Sequence, residues 1–183
     1  ELDLYTNLRP VRSLPAVSPR AGIDLLIVRE NTEGMYAGRE RLEGDTAIAE
    51  RVITRKASER IGRKALELAL ADGRRRLTIV HKANVLPVTD GLFRDTVRAA
   101  AVELGAEAHG LAVDELLVDT AANQLVSQPE KFEVIVTTNL FGDILSDLAA
   151  YWCGGMGLAP SLNWGPAAAM QQMHRAVSQR AHA

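Results

Sequence analysis

The apolar positions of this chain follow two periods, which predict a regular alternation of strands and helices. Short runs rich in β-branched residues, or with apolar and polar residues in strict alternation, indicate strands. The predicted strands are residues 2–8, 23–28, 77–80, 116–118 and 134–137. Apolar residues three or four positions apart indicate amphipathic helices at 56–72, at 90–104 and after Gly142. This alternation is typical of an α/β fold, with a parallel or mixed sheet flanked by helices.

Small polar residues, glycines and prolines set the expected ends of these elements. Ser58 is the expected N-cap of the first helix and Asp90 that of the second, because each side chain can accept a hydrogen bond from a free backbone N–H group. Gly73 and Gly105 are the expected helix stops. Pro10 should end the first strand. The expected apolar side of the third helix comprises Ile144, Leu145, Leu148 and Ala149.

Two carboxylates follow the apolar run 134–137, which we expect to be a strand buried on both faces. Asp143 and Asp147 are four positions apart, so a helix places them on one face. Open α/β sheets bind ligands at this edge, outside the carboxyl ends of the strands. Carboxylate oxygens suit Mg²⁺ or Mn²⁺, but acidic residues near a helix start also complement its dipole. Spacing alone therefore leaves a metal site and an ordinary helix start both open.

Composition narrows the class of protein. The chain has 183 residues, 47% of them hydrophobic and 24% charged, which is typical of a globular protein. A net charge of −2 gives no electrostatic reason to expect nucleic acid as a partner. No apolar run reaches the roughly 18 residues of a membrane span, so we expect no membrane partner. The single cysteine, Cys153, excludes an intrachain disulfide and fits a reducing cytoplasm, where we expect the protein.

Five separated motifs resemble those of the isocitrate, isopropylmalate and homoisocitrate dehydrogenases, which are metal-dependent β-decarboxylating dehydrogenases. They are L-D-L-Y-T-N-L-R-P, V-R-E-N-T-E-G-M-Y, H-K-A-N-V-L-P, L-V-D-T-A-A-N-Q-L-V and the long stretch N-L-F-G-D-I-L-S-D-L-A-A-Y-W-C-G-G-M-G-L. The resemblance covers about residues 2–163. It implies an isopropylmalate dehydrogenase-like fold, and mainly the second domain of that fold.

The resemblance gives roles to residues that would otherwise be ordinary surface or core-edge side chains. It implies that Arg9 and Arg29 bind the carboxylates of the substrate, as a guanidinium fork can do in a bidentate manner. Tyr36 would protonate the enol carbon left by decarboxylation. Lys82 would relay protons at the substrate hydroxyl, with Asn84 beside it as a further substrate contact.

The same resemblance implies a metal site built from two subunits. Asp143 and Asp147 would bind Mg²⁺ or Mn²⁺ together with Asp119 of a second subunit. The protein would then be a homodimer or a higher oligomer. Residues 37–54, which are charged and weakly patterned, would form an arm that pairs with the partner subunit.

The resemblance also divides the chain and shows what is missing from it. Residues 1–157 would be the substrate-binding, metal-binding and dimerisation domain, and residues 158–183 would begin the return to the other domain and then diverge. The family's NAD loop and a further upstream arginine are not recognisable. We therefore expect a fragment, without a natural start, that is inactive by itself. NAD is expected for the complete enzyme, although the sequence does not separate NAD from NADP.

The motifs rank the substrates. H-K-A-N-V-L-P is most similar to homoisocitrate dehydrogenases, and E-N-T-E-G-M-Y differs from the E-L-T-G-G pattern of the isopropylmalate enzymes. The predicted function is therefore NAD-dependent oxidation and decarboxylation of homoisocitrate, in lysine biosynthesis through 2-aminoadipate. The alternatives are an NAD-dependent isocitrate dehydrogenase, and a catalytically dead fragment that only dimerises and binds substrate.

Overall fold

A computed structural model of the chain describes residues 3–166 and 168–173. The strands are β1 (Thr6–Arg12), β2 (Asp24–Glu30), β3 (Glu40–Glu43), β4 (Thr46–Ala49), β5 (Arg76–His81), β6 (Ala112–Leu117), β7 (Val134–Thr137), β8 (Pro160–Gly165) and β9 (Ala168–Met173). The helices are α1 (Arg55–Ala71), α2 (Thr89–Glu103), α3 (Val118–Ser127) and α4 (Asn139–Ala149).

A mixed sheet forms the centre of the described part of the chain, and its strand order is β6-β5-β7-β2-β1-β8-β9. Strands β6, β5, β7 and β2 are parallel to one another, whereas β1, β8 and β9 continue the sheet in antiparallel pairing. The predicted α/β fold is confirmed. Because parallel strands end at the same edge, the segments that follow β2, β5, β6 and β7 are brought together.

Two apolar cores lie on the two faces of this sheet. One core contains the inner sides of α1 and α2, and the other contains those of α3 and α4. Val134 and Val136 of β7 belong to the first core and Ile135 to the second, as the period of two in a strand requires. All three side chains have no exposed area, so β7 is buried on both faces as its sequence predicts.

The sequence predicts that the first strand ends at Pro10, but in the structure the strand continues to Arg12. The backbone N–H of Asn31 donates to the carbonyl of Tyr5, and alternation along the antiparallel pair places Pro10 in a non-hydrogen-bonded position. Its nitrogen therefore faces away from β2. On that side the pairing with β8 has already ended at Leu8, so the missing N–H breaks no ladder bond.

Both predicted helix caps are wrong. Helix α1 starts earlier, at Thr54, whose side-chain oxygen accepts a hydrogen bond of 3.1 Å from the N–H of Ala57. Ser58 is buried inside the helix and its hydroxyl donates to the carbonyl of Thr54. Asp90 lies inside α2 with no exposed area, and its carboxylate binds Arg51 instead of the helix end.

The glycine stops are in place. Gly73 and Gly105 follow α1 and α2 with φ angles of 65° and 61°, the left-handed region that glycine adopts without strain.

The buried side of α4 also differs from the predicted one. Leu145 and Ala149 are buried, but Ile144 and Leu148 are exposed. Small or polar residues fill the rest of the buried face, which an apolar pattern cannot identify; they include Gly142 and Ser146. Strand β6 is longer than the predicted segment 116–118, and α3 begins one residue before Asp119.

Strands β3 and β4 form a separate antiparallel hairpin within the predicted arm, residues 37–54. Apart from Ile48, its residues are exposed. No helix of the described residues is long and apolar enough to cross a membrane. The predicted tail is described only as far as Met173, and its remaining residues, 174–183, lie outside the described part of the chain.

Candidate active site

The candidate residues lie at one edge of the sheet, where the parallel strands end. Arg29 is near the end of β2, Lys82 follows β5, Asp119 follows β6 and Asp143 lies in the helix that follows β7. The topology therefore places residues from distant parts of the sequence along one edge. Their contacts divide them into two groups, which we call the arginine–tyrosine group and the lysine group.

Arg29 is the buried centre of the arginine–tyrosine group. Its Nε and Nη2 donate to Oδ1 of Asn139 at 3.0 and 2.7 Å, and its Nη1 forms an ion pair with Asp143. Three of the five guanidinium N–H groups donate to these two residues, which leaves two for another acceptor. The α4 helix can approach Arg29 this closely because Gly142 has no side chain. A Cβ there would lie 2.6 Å from the Arg29 side chain.

Tyr36 completes this group. Its hydroxyl donates to Oδ2 of Asp143 at 2.5 Å, and its ring lies against the guanidinium of Arg29, with 5.3 Å between Cζ and the ring centre. The hydrogen bond to Asp143 raises the pKa of Tyr36 above its ordinary value, with burial and the carboxylate charge acting in the same direction. Tyr36 therefore carries its proton at neutral pH, and the hydroxyl donates it in the hydrogen bond to Asp143.

Asp143 is ionised in this arrangement. Burial would raise its pKa, but the Tyr36 hydroxyl and the charges of Arg29 and Arg9 outweigh burial and hold the pKa below its ordinary value. Both carboxylate oxygens are engaged, Oδ1 by Arg29 and Oδ2 by Tyr36. The carboxylate therefore carries a negative charge that is partly satisfied by its neighbours.

Arg9 and Asp147 lie within electrostatic reach of the same group. Burial and the charge of Arg29 lower the pKa of Arg9, whereas the charges of Asp147 and Asp143 raise it. Nε of Arg9 donates to Oδ1 of Asn7 at 2.7 Å, so the two Nη atoms are not used by this contact. The group thus combines cationic donors with carboxylates, a combination that can hold an acidic ligand together with a cation.

The carboxylate oxygens of α4 suit a hard divalent cation, but α4 supplies only two of the three carboxylates that the predicted site requires. Asp143 and Asp147 lie four positions apart on one helix and supply only oxygen ligands. Among the described residues, however, no group of three His, Cys, Asp or Glu side chains could hold a metal ion. Asp119 does not join the other two in the same chain, and its contribution from a second subunit stays a prediction.

The lysine group consists of Lys82 and Asp119, which form an ion pair. The contact with Lys82 lowers the pKa of Asp119 below its ordinary value. Asn84, the other predicted substrate contact, is exposed in the turn after β5. The residues that the family motifs assign to one site therefore form two separate groups within one chain. One group contains Arg9, Arg29, Tyr36, Asp143 and Asp147, and the other contains Lys82 and Asp119.

A buried ion pair that the sequence did not reveal joins the two groups. Asp90 accepts a hydrogen bond of 2.6 Å from the backbone N–H of Lys82 and forms an ion pair with Arg51. Arg51 also donates to Oγ1 of Thr138, directly before α4, at 2.9 Å, and lies over the ring of Phe141. Arg51 lies in the weakly patterned arm segment, where no periodicity marked it, and Asp90 resembled a cap.

Two further carboxylates hold the loop that carries Tyr36. Glu30 accepts hydrogen bonds from the backbone N–H groups of Thr32 and Glu33 at 2.9–3.0 Å. Glu33 in turn accepts from both the N–H and the hydroxyl of Thr54, at 2.8 and 2.9 Å. The loop before Tyr36 is therefore fixed to the end of β2 and to the start of α1. Within E-N-T-E-G-M-Y, the sequence identified the tyrosine but not these supports.

Known proteins resemble the chain over nearly its whole length. The family model described as isocitrate/isopropylmalate dehydrogenase matches residues 1–180. The isocitrate/homoisocitrate dehydrogenase of Thermus thermophilus is 56% identical over 169 residues, which cover 92% of this chain and 49% of that protein. The 3-isopropylmalate dehydrogenase of Methanothermobacter thermautotrophicus is 50% identical over 166 residues, which cover 90% of this chain and 49% of that protein.

A solved structure has a similar fold. The crystal structure of isocitrate dehydrogenase from Methylococcus capsulatus superposes with a TM-score of 0.87 and 44% identity, over 94% of this chain and 52% of that one. The chain therefore spans about half the length of the curated relatives that it matches.

Proposed function

Because the chain belongs to the isocitrate/isopropylmalate dehydrogenase family, we propose that it forms the substrate- and metal-binding part of an oxidative decarboxylase of 2-hydroxy acids. The proposed substrate is homoisocitrate and the proposed oxidant is NAD. The name of the Thermus relative, which contains both isocitrate and homoisocitrate, supports this choice. The same name makes isocitrate the second candidate, and the isopropylmalate relative at 50% identity makes 3-isopropylmalate the third.

The observation that carries the proposal is the arginine–tyrosine group. Arg9 and Arg29 present guanidinium N–H groups for the carboxylates of the acid. Asp143 and Asp147 would hold Mg²⁺ or Mn²⁺, which supplies Lewis-acid chemistry at the 2-oxo group when bound. Tyr36 carries a proton on its hydroxyl and would donate it to the enol carbon that remains when carbon dioxide leaves.

The lysine group would complete the site from a second subunit. Asp119 is the predicted third metal ligand, and Lys82 accompanies it because the two side chains are paired. Lys82 would exchange a proton with the substrate hydroxyl during hydride transfer to NAD. A two-fold dimer uses the same patch on both chains, so it would create two such composite sites.

We further propose that residues 1–183 alone bind a divalent cation and hold the acid weakly, but do not oxidise it. No family motif for NAD is recognisable in the sequence, and hydride transfer needs the nicotinamide held against the substrate. A module that only dimerises and binds substrate is the non-enzymatic alternative. The feature that favours it, for these 183 residues taken alone, is that the family's NAD loop is not recognisable in them.

Calorimetric titration separates these possibilities. With Mg²⁺ present, we expect homoisocitrate to bind more tightly than isocitrate or 3-isopropylmalate, and NAD to bind more weakly than about 1 mM. Arg9→Gln should weaken acid binding about tenfold or more, because a hydrogen bond to a charged group is lost. Arg12→Gln is the matched control, since Arg12 lies on the same strand but pairs with Asp24 at the surface. Homoisocitrate binding that is absent, or that Arg9→Gln leaves unchanged, would contradict the proposal.

A further inference from the structure

Tyr36 is bound where a metal ion would have to bind. Oδ1 of Asp143 faces Arg29, which is only 7% exposed, whereas Oδ2 accepts the hydroxyl of Tyr36, which is 53% exposed. A cation that arrives from solvent therefore meets Asp143 at Oδ2. Magnesium coordinates oxygen at about 2.0–2.1 Å in a strict octahedral arrangement, and at Oδ2 it would compete with a hydroxyl that donates its proton from 2.5 Å.

The two partners of Asp143 differ in how firmly they are held. Arg29 is buried and fixed by two hydrogen bonds to Asn139. Tyr36 lies in a short 3-10 turn, Met35–Ala37, between Gly34 and Gly38, whose φ angles are 86° and 65°. The loop is anchored on both sides of this turn: Glu33 accepts from Thr54 and Gly34 pairs with Val52 before it, and the carbonyl of Arg39 accepts from the N–H of Glu50 after it. The mobile part is therefore the turn Met35–Ala37 itself. Tyr36 is therefore the partner that can leave Asp143 without disturbing the core.

We propose that the Tyr36 hydroxyl is a placeholder for the metal ion, so that cation binding to Asp143 displaces the hydroxyl and releases it for proton donation. This inference rests on the proposed role of Asp143 and Asp147 as metal ligands. The contact between Tyr36 and Asp143 then has a role in the metal-free protein. The hydroxyl stabilises the Asp143 carboxylate until the cation binds and takes its place. This exchange also makes the proton donor available only after the metal is present.

The proposal predicts that removing the hydroxyl strengthens metal binding, although Tyr36 belongs to the same site. Tyr36→Phe should bind Mn²⁺ about three- to tenfold more tightly than the wild type, because one hydrogen bond no longer competes with the ion. Free Mn²⁺, counted by electron paramagnetic resonance during titration of the 183-residue chain, gives the dissociation constant. Tyr151→Phe is the matched control, because Tyr151 is also exposed and its ring packs on Trp152.

Two further measurements separate the outcomes. Asp143→Asn should weaken Mn²⁺ binding, and Mg²⁺ should shift the ring resonances of Tyr36 more than those of Tyr5 or Tyr151. If Asp143→Asn weakens binding but Tyr36→Phe does not tighten it, the placeholder role is wrong and the metal assignment stands. If the wild type and Tyr36→Phe bind no Mn²⁺, or Asp143→Asn binds it as well as they do, the metal assignment is wrong and the placeholder role with it.

Discussion

Asp90 illustrates, at the scale of single residues, how a buried charge connects separate parts of the site. Its carboxylate has no exposed area, and it is satisfied by Arg51 on one oxygen and by the backbone of Lys82 on the other. Burying a charge is unfavourable unless it is paired and hydrogen-bonded. The pair therefore fixes the turn that carries Lys82 relative to Thr138 and the start of α4.

Asp90→Asn should destabilise the fold by about 3 kcal/mol, because it leaves the charge of Arg51 unpaired in a largely buried place. Urea unfolding followed by circular dichroism measures this change. Asp95→Asn is the matched control on the same helix. Its pair with Arg94 is exposed, so its loss should change the free energy of unfolding by less than about 0.5 kcal/mol. Similar effects of the two substitutions would show that the buried pair does not stabilise the fold.

The sequence predicted which elements carry the candidate residues better than it predicted the contacts that hold them. Asp143 and Asp147 could be placed on one helix face because their spacing equals one turn. The ion pair between Asp90 and Arg51 could not be predicted, because it joins positions 39 apart through the folded sheet edge. The same limit explains why Tyr36 was identified without its bond to Asp143, which lies 107 positions away.

At the scale of elements, the sequence predicted the type of most strands and helices but missed α3, β8 and β9, and it predicted the ends of the elements less well. The apolar pattern of an element predicts its type well because the apolar side chains are those that pack in the core, as in β7 and α1. Ends depend instead on single hydrogen bonds. Thr54 is the N-cap of α1 because its hydroxyl donates a hydrogen bond to Glu33 and the same oxygen accepts one from the N–H of Ala57. The expected apolar side of α4 was half wrong, because Gly142 had to face Arg29.

Thr54→Ala should destabilise the chain by about 1–2 kcal/mol, because the first turn of α1 loses its side-chain acceptor and Glu33 loses a donor. Ser58→Ala is the control that distinguishes the two possible caps. The backbone N–H of Ser58 still donates to the carbonyl of Thr54, so this substitution should change stability by less than about 0.5 kcal/mol. Thermal and urea unfolding would measure both. A larger loss for Ser58→Ala would restore Ser58 as the cap.

At the scale of the whole molecule, the family resemblance of the motifs is confirmed by the match over residues 1–180. The substrate, the cofactor and the residue roles stay predictions. The exposed apolar side chains on α3 and α4 have no explanation within one chain. Val126, Ile144 and Leu148 lie on two helices that pack against each other and flank the candidate site. An apolar surface beside the proposed metal site, which lacks its third ligand within one chain, is what a partner chain would cover and complete.

We therefore expect a two-fold dimer that contains α3 and α4 in its interface, with Asp119 of each chain reaching the metal site of the other. Val126→Glu should weaken dimerisation on the order of a hundredfold. The substitution places a charge in an apolar contact, which we expect to cost about 1.4 kcal/mol of binding free energy, a factor of ten, in each chain. A two-fold interface contains the residue twice, so the two losses together give about a hundredfold. Val102→Glu is the matched control, because this valine is 82% exposed on α2.

Sedimentation at micromolar concentration would give the dimer mass for the wild type and for Val102→Glu, and the monomer mass for Val126→Glu. Mn²⁺ binding should weaken in the monomeric variant alone, because it lacks the third carboxylate. A monomeric wild type that binds Mn²⁺ as tightly at every concentration would contradict both the interface and the shared site.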